Sequence, residues 1–433
     1  MNFFFSRIVT LSLVIGHLLL FSCNSRNPNL SEKQLLALMN DTTQNPPETP
    51  LFVLPDSNYL PPEGAKYEEI RSVDPAAPPE IIDIAGNLNH KKAFKLSDIA
   101  ESVRYIFLEQ PSDTKLSFPY SMTSDDEHIF IDTPEGLFCF STYGQYLYTV
   151  CKNYTEKGEK TGTVFLGNID LLNGILIARI IVPGKGVQLS FFDVGEMDAQ
   201  MLLNDHSGEL KKSGVKPLYQ RQLGRGYAPM HRYLLIDDQS IFTGRLTVTS
   251  ISGDTLCQFN DYGPYNPQIS YTGIYRFNGI TTFRKGNNDT IFRVMPPNRL
   301  TPAYVMQWPD DLKGKQGTND GGWIETSQFI FIQYNSLNKE QMKYETHWAI
   351  YDKTAKTLTH HITSDQRALI ENDMEPVGMP FWPEGVNHKG DMYMVFSKES
   401  IRRIIEKGMN RNDKLQSISD NMHDDGFCIM IVK

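Results

Sequence analysis

Short apolar runs separated by polar turns make up most of the chain from residue 80 onward. The pattern is clearest where residues 126–132, 136–141 and 145–150 follow one another, with Tyr143-Gly144 as a turn. Runs of this length, rich in β-branched and aromatic residues and bounded by Gly, Asn and Asp, are typical of β-strands. The pattern therefore predicts an all-β domain.

The same unit recurs at irregular intervals of about 40 to 65 residues. Its six copies begin near residues 126, 173, 239, 278, 327 and 390. Repeats of four short strands at such spacing indicate a β-propeller, whose sheets are arranged radially around an axis. We therefore predict a six-bladed β-propeller over residues 80–433. A two-sheet sandwich with a separate domain is the alternative, but the even distribution of strand signals favours the propeller.

The N-terminus has the pattern of an export signal. Arg7 is followed by an apolar run over residues 8–21, which is shorter than the roughly 20 apolar residues of a membrane-spanning helix. Leu20-Phe21-Ser22-Cys23 then fits a lipobox, where a peptidase cuts before a cysteine that receives the lipid. We predict that residues 1–22 are removed and that Cys23 attaches the protein to a membrane. The alternative is an ordinary signal peptide with an incidental cysteine.

The residues after Cys23 predict the location and the linker. No acidic residue directly follows Cys23, so an inner-membrane retention signal of the aspartate kind is missing. We therefore expect an outer-membrane lipoprotein that faces either the periplasm or the cell surface. Residues 23–79 are polar and rich in proline, which predicts a disordered tether. Short helices are expected at residues 31–40, 364–372 and 398–408.

Charge and cysteine content exclude two classes of protein. The chain has 42 Lys and Arg against 51 Asp and Glu, and its basic residues cluster only in pairs, which excludes a nucleic-acid partner. Removal of Arg7 with the signal lowers the net charge from −9 to about −10. The four remaining cysteines (Cys139, Cys151, Cys257 and Cys428) are far apart and form no CxxC motif, so we expect buried free thiols rather than a disulfide scaffold or a zinc site.

The chain resembles the six-bladed β-propeller lipoproteins of Bacteroides-like bacteria, most of which have no assigned function. The resemblance spans residues 80–433 and rests on the lipobox, on residues 94–99 with 103–109, on the repeat unit ending at residues 140–144, and on residues 288–294 with 300–305. It implies the propeller fold and an envelope location. It implies no catalytic residues.

No catalytic motif appears in the sequence, and we predict neither a catalytic residue nor a resident metal. Two oxygen-rich stretches, Asp125-Asp126-Glu127 and Asn287-Asn288-Asp289, could hold Ca²⁺, although Asp and Asn are also expected at turns. Four histidines of the last third could gather in a central channel and bind a metal, although surface or core positions are the simpler interpretation. They are His347, His360, His361 and His388.

Two sets of residues are candidates for ligand binding. Trp323 and Trp382 lie in predicted loops and could stack on sugar rings, with core packing as the alternative. Arg225, Tyr227 and His231 form a basic and aromatic cluster that could meet an acidic ligand, with an ordinary loop between blades as the alternative.

These observations predict a non-catalytic binding or scaffolding role at the cell envelope. The expected ligand is a glycan, a peptide or an envelope protein. The alternative is a propeller enzyme that hydrolyses or cleaves polysaccharide. An enzyme would need acid and base groups that converge in one cleft.

Overall fold

The fold is taken from a computed structural model, which describes part of the chain. The described residues are 68–70, 79–112, 114–152, 163–172, 174–182, 186–204, 219–222, 226–230, 233–238, 245–250, 255–259, 272–277, 280–285, 289–295, 299–309, 322–338, 343–362, 369–375, 378–406, 416–417, 419–420, 422–423 and 426–433.

The described secondary structure is mostly β. In chain order the first strands are β1 (Glu68–Ile70), β2 (Glu80–Asp83), β3 (Lys91–Lys92), β4 (Val103–Phe107), β5 (Ser121–Ser124), β6 (His128–Thr133), β7 (Gly136–Ser141), β8 (Tyr146–Lys152), β9 (Thr163–Leu172), β10 (Ile175–Val182), β11 (Gly186–Asp193), β12 (Tyr219–Gln222) and β13 (Gly226–Met230). They are followed by β14 (Tyr233–Asp238), β15 (Arg245–Ser250), β16 (Thr255–Phe259), β17 (Thr272–Phe277), β18 (Ile280–Lys285), β19 (Thr290–Met295), β20 (Arg299–Gln307), β21 (Trp323–Glu325), β22 (Phe329–Asn338), β23 (Lys343–Asp352), β24 (Thr357–His361), β25 (Gly385–Val386), β26 (Met392–Ser397) and β27 (Phe427–Val432). The helices are a 3₁₀ turn (Leu96–Asp98), α1 (Val194–Asn204) and α2 (Lys398–Glu406).

The described strands group into six sheets. Sheet 1 is β5 to β8, sheet 2 is β9 to β12, and sheet 3 is β13 to β16 with β1 at its edge. Sheet 4 is β17 to β20 with β2, sheet 5 is β21 to β24 with β3, and sheet 6 is β25 to β27 with β4. The first strands of neighbouring sheets touch where β5 meets β9, β13 meets β17 and β21 meets β25. This radial arrangement is that of a β-propeller, and the sandwich alternative is wrong.

The alternation of strand directions gives the propeller two different faces. Consecutive strands within a sheet are antiparallel, so the first-to-second and third-to-fourth connections leave from the same face, which we call the lower face. The second-to-third connections and those between sheets leave from the opposite, upper face. Each first strand therefore begins at the upper face and ends at the lower face.

The middle strands of sheet 1 show why the sequence pattern produces these sheets. Every residue of β6 is buried, and so is almost all of β7, because both strands are covered on two sides by neighbouring sheets. Strands covered on both faces read as continuous apolar runs rather than as an alternation. The predicted strands at residues 126–150 are confirmed.

The segment that precedes sheet 1 wraps around the outer edges of the propeller. β1 pairs in parallel with β16, β2 with β20 and β3 with β24, and β4 then pairs antiparallel with β27. Sheet 6 is thus built from both ends of the described chain, with Val103 opposite Val432. β1 lies inside the range 23–79 that was predicted to be a tether, because an open sheet edge offers backbone partners to a short polar segment.

Apolar cores fill the spaces between sheets. The core between sheets 6 and 1, called here the junction core, contains Ile106 from β4, Phe140 from β7, and Val395 and Phe427 from sheet 6. Comparable cores lie between sheets 1 and 2, between sheets 4 and 5, and between sheets 5 and 6.

The described helices agree only in part with the predicted ones. α2 confirms the helix predicted at residues 398–408, whereas Ile370 and Glu371 form isolated β-bridges inside the range 364–372, so a helix there is wrong for the described residues. α1 was not predicted, although Asp193 Oδ1 accepts the Glu196 amide at 3.1 Å as a helix N-cap would. Residues 31–40 lie outside the described part. Within that part, no helix is long and apolar enough to cross a membrane.

The described cysteines carry free thiols. Cys139 and Cys428 are buried and Cys151 is half-buried. Cys139 faces Tyr148 across the strand pair, while Cys151 faces Leu137. The two thiols of sheet 1 are therefore out of register, which confirms the expectation of unpaired cysteines there.

Candidate functional site

The first strands surround the propeller axis, so their charged residues are the natural starting point for a functional site. Four charged residues with described side chains lie on a first strand or directly before one. They are Asp170 on β9, Arg276 on β17, Glu325 on β21 and Glu384 before β25. Their partners decide which of them remains available to a ligand.

Asp170 and Arg276 join two sheets that are not neighbours. The Arg276 guanidinium donates to Asp170 Oδ1 and, at 3.0 Å, to the Leu171 carbonyl. Burial raises the pKa of Asp170, and the adjacent guanidinium opposes that rise. Both residues lie near the ends of their strands, so this ion pair ties sheet 2 to sheet 4 at the lower face.

Glu325 is the centre of a buried network between sheets 4 and 5. Its side chain is fully buried, and its two oxygens accept from Arg293 at 2.7 and 2.9 Å and from Lys353 at 2.8 Å. Tyr275 and Tyr304 donate their hydroxyls to the same carboxylate at 2.7 and 2.9 Å. Burial alone would raise the pKa of Glu325, but the Arg293 and Lys353 donors hold it below its usual range. This carboxylate is fully committed to the fold.

Glu384 differs from the other three because it has no ion pair among the described residues. The residue is exposed to solvent at the upper face, while its carboxyl lies close to the backbone of β26, where Oε2 accepts the Val395 amide at 3.0 Å. The surrounding protein atoms desolvate the carboxyl and raise its pKa to about 7. Glu384 can therefore donate or accept a hydrogen bond near neutral pH.

Tyr393 brings a second polar group to the same place. A Cβ on Gly385 would lie 2.5 Å from the Tyr393 hydroxyl, so only glycine leaves room for this ring beside the first strand. The pKa of Tyr393 is raised by burial and then by the nearby Glu384 carboxylate. The Glu384 carboxyl at the start of sheet 6 thus lies beside a phenol that packs against the junction core.

The two predicted tryptophans do not form an exposed platform. Trp382 is 6% exposed and packs edge-to-face on Trp348 and Phe331, with ring centroids 4.7 and 5.4 Å away. Its predicted exposure is wrong, because a large ring gains more free energy in the core between sheets 5 and 6. Trp323 is half-buried, and its Nε1 donates to the Tyr275 hydroxyl at 2.7 Å, so it belongs to the Glu325 network.

The other predicted binding residues fall largely outside the described part. Arg225 and His231 lie outside it, as does Cys23. The backbone of Tyr227 is part of β13, the first strand of sheet 3. Ligand binding by Arg225, Tyr227 and His231 stays a prediction.

The acidic turn at residues 125–127 does not gather its carboxylates around one point. Asp125 binds His128, at 3.0 Å from its Nδ1, whereas Asp126 binds Lys389 at 2.9 Å and His388 at 3.2 Å. Asn287 and Asn288 lie outside the described residues. Nowhere in the described part do three or more His, Cys, Asp or Glu residues form a metal-binding group.

The four histidines considered for a central channel do not converge on one point. His360 is buried and bonds to the Tyr334 hydroxyl at 2.8 Å, and His361 packs beside Trp382. Burial lowers the pKa of both. His347 bonds to Ser336 on the neighbouring strand, and His388 lies in the turn after β25. These positions fit the simpler interpretation of core and surface histidines.

His128 forms a link between sheets that the sequence did not reveal. Its Nε2 lies 3.2 Å from Asp198 Oδ2 on α1, so the ring is held between two carboxylates. Burial would lower the pKa of His128, but the two carboxylates outweigh burial and raise it to about 10. Local sequence offers no signal for this link, since Asp198 is 70 residues away in an unpredicted helix.

Comparison with solved structures supports the fold. An exported protein of Bacteroides fragilis, so described by its name, is 15% identical, with a TM-score of 0.55 over 82% of this chain and 99% of that one. A Bacteroides thetaiotaomicron protein of unknown function is 8% identical, with a TM-score of 0.38 over 76% of each chain. A streptogramin B lyase is 8% identical, with a TM-score of 0.33 over 76% of this chain and 98% of that one. Of these three scores, the first alone is high enough to support a shared fold.

Sequence comparison assigns the family. No curated protein matches the sequence. The family described as "Domain of unknown function (DUF4933)" matches residues 62–180 and 218–407, which together make up most of the chain. The match begins before β1 and so includes the strands that wrap around the propeller. This protein therefore belongs to the DUF4933 family.

Proposed function

We propose that the protein is an exported six-bladed β-propeller, anchored in the outer membrane through a lipid on Cys23, with a non-catalytic binding role at the cell envelope. The six sheets of described strands support six blades. The similarity to a B. fragilis protein named as exported supports export. The lipobox ending in Cys23 and the short apolar run before it support the anchor.

Glu384 carries the proposal of a binding role. The other charged residues described on the first strands form ion pairs that join sheets. Glu384 is exposed and has no cationic partner in the described part of the chain. A polar group that the fold does not use is available to a ligand. The ligand classes that fit a carboxyl beside a phenol are a glycan, a peptide or a polar protein surface.

The alternative is an enzyme that acts on polysaccharide as a hydrolase or lyase. The raised pKa of Glu384 suits a general acid, which is the observation in favour of this alternative. Hydrolysis by the usual route also needs a second carboxylate facing the first. Asp170 and Glu325, the other first-strand carboxylates described, are both held by arginine. A binding role is therefore favoured.

A thermal-shift screen of the purified protein against neutral and acidic oligosaccharides and peptides tests binding. A ligand that binds the folded state must raise the melting temperature. Glu384→Gln should weaken that shift, and Glu399→Gln, which removes an exposed carboxylate on α2, should not. Release of shorter products from a sugar that gives a shift would establish the enzyme instead. No shift with any arm would contradict a small ligand.

The anchor is tested separately from the ligand. Cells that express the wild type should incorporate labelled fatty acid into the protein, and Cys23→Ser should abolish the label and leave the protein uncut or soluble. A wild-type protein without label, recovered in the soluble fraction, would contradict lipid attachment.

A further inference from the structure

Two aromatic rings stand exposed on the segment that leads into β5. Phe118 is 46% exposed and Tyr120 is 49% exposed. They are two residues apart with Pro119 between them, directly before β5. Leaving two large rings in water forgoes burial energy, so such a pair is typical of a binding surface.

The segment that carries the rings is held in place on the propeller. The Ser117 amide and hydroxyl both donate to Glu135, at 2.8 and 2.5 Å, and the Tyr120 amide donates to the Asp132 carbonyl at 2.8 Å. The Phe118 ring packs edge-to-face on Phe427, with ring centroids 5.7 Å apart. A surface that is already ordered loses little entropy when a ligand binds.

Topology places these rings at the same face of the propeller as Glu384. Tyr120 directly precedes β5, the first strand of sheet 1, and Glu384 directly precedes β25, the first strand of sheet 6. Both strands begin at the upper face, and the junction core joins their two sheets. Phe427, which Phe118 contacts, belongs to β27 of sheet 6 and to that core.

We propose that Phe118, Tyr120 and Glu384 form a binding site for an uncharged oligosaccharide. The inference rests on the proposed binding function and names its ligand class. A sugar ring has an apolar C–H face, which suits an exposed aromatic ring, and hydroxyl edges, which suit the Glu384 carboxyl. A uronic acid would place a second negative charge beside an ionised Glu384, which has no cation partner among the described residues.

Titration calorimetry on the purified full-length protein in detergent tests the site. The probes are neutral oligosaccharides built from glucose, mannose or xylose, uronic-acid oligosaccharides of matched length, and a mixed peptide library. We expect at least one neutral sugar to bind and the uronic-acid probes to bind more weakly. Tyr120→Ala and Phe118→Ala should each raise the Kd for that sugar by about tenfold.

Ile81→Ala is the control. Ile81 is 54% exposed on β2 at the outer edge of sheet 4, away from sheets 6 and 1, so its loss should leave the Kd unchanged. Circular dichroism of each variant establishes that the fold is intact. A neutral sugar that binds equally well to Tyr120→Ala and Phe118→Ala would overturn the site.

The outcomes separate this inference from the proposed function. If peptides bind and no neutral sugar does, the ligand class proposed here is wrong and the binding function stands. If the uronic-acid probes bind best, the charge argument and the inference with it are wrong. If nothing binds, both proposals fail.

Discussion

The Arg293 guanidinium donates two hydrogen bonds to the Glu325 carboxylate, at 2.7 and 2.9 Å, across the boundary between sheets 4 and 5. The arginine belongs to β19 and the glutamate to β21, so the pair holds two neighbouring sheets in register. Lys353 adds a second cation to the same carboxylate. The site has two cations for one anion, so its stability depends on that anion.

Glu325→Gln should therefore destabilise the fold strongly. Removal of the charge leaves Arg293 and Lys353 without their counterion in a buried position, which typically costs about 3–5 kcal/mol. Chemical denaturation measures the loss in the free energy of unfolding. The control is Glu399→Gln, which breaks an exposed pair with Arg403 on α2 and should cost less than about 1 kcal/mol. Equal effects of the two changes would contradict a structural role for the buried pair.

Gly385→Ala should displace the Tyr393 ring. The added Cβ would lie 2.5 Å from the Tyr393 hydroxyl and 2.7 Å from its Cε1, and overpacking of this kind costs about 1–3 kcal/mol. The control is Gly195→Ala on α1, where the nearest atom lies 3.4 Å from the new Cβ. In a Tyr393→Ala background the cost of Gly385→Ala should largely disappear, and a cost that persisted there would show that another contact is responsible.

The His128 link should stabilise the protein in a defined pH window. The pKa of His128 is raised from 6.5 to about 10 in the folded state, so its contribution is complete below about pH 6.5 and is lost as the pH rises through 10. His128→Gln should cost about 2 kcal/mol at pH 6, as expected for hydrogen bonds to charged groups, and progressively less toward pH 10. Urea denaturation of both proteins across this range measures the difference. A difference that does not change with pH would contradict the charged form of His128.

The ionised Glu384 carboxylate should destabilise the fold, whereas the charged His128 ring stabilises it. Its pKa is raised from 4.5 to about 7, so the folded state retains a proton that the unfolded state has released, and stability falls as the pH rises from 4.5 through 7. Glu384→Gln removes this loss. The variant should match the wild type near pH 4 and be more stable than it above pH 7, as measured by thermal unfolding. A wild type that is more stable than the variant above pH 7 would reveal a stabilising partner for the carboxylate.

Truncations should measure what the strands before sheet 1 contribute to stability. A chain that begins at residue 72 lacks β1 and should fold, because sheet 3 keeps its own four strands. A chain that begins at residue 109 lacks β1 to β4, and with β4 it loses the partner of β27 and the buried Ile106 of the junction core. We expect that second chain to aggregate or to unfold at a much lower temperature. Cooperative folding of both chains, with similar melting temperatures, would contradict a structural role for β2, β3 and β4.

Local pattern was enough to predict the all-β class and the strands of sheet 1. The side chains of residues 128–131 are apolar except for His128, and the glycine of Tyr143-Gly144 indicates the turn between β7 and β8. Short-range periodicity and turn chemistry act within a few residues, so they can be recognised without knowledge of the fold. α2 was predicted for the same reason.

The candidate site could not be predicted in this way. Trp382 and Glu384 are two residues apart in one loop, yet the tryptophan is buried against Trp348 and Phe331 while the glutamate is exposed. Their fates depend on which distant residues the sheets bring beside them. The same is true of Glu325 and Glu384, carboxylates at the end of one first strand and just before another, of which Arg293 neutralises only Glu325.

The sequence by itself determined that this chain forms short strands in repeated units, because each strand depends on its own alternation and its own turns. Tertiary structure alone decided which charged groups are used to join the sheets, and which remain available to a ligand. It also decided that β1, β2 and β3 occupy the outer edges of sheets 3, 4 and 5. These are contacts between residues far apart in the chain, and their energies arise only once the propeller has closed.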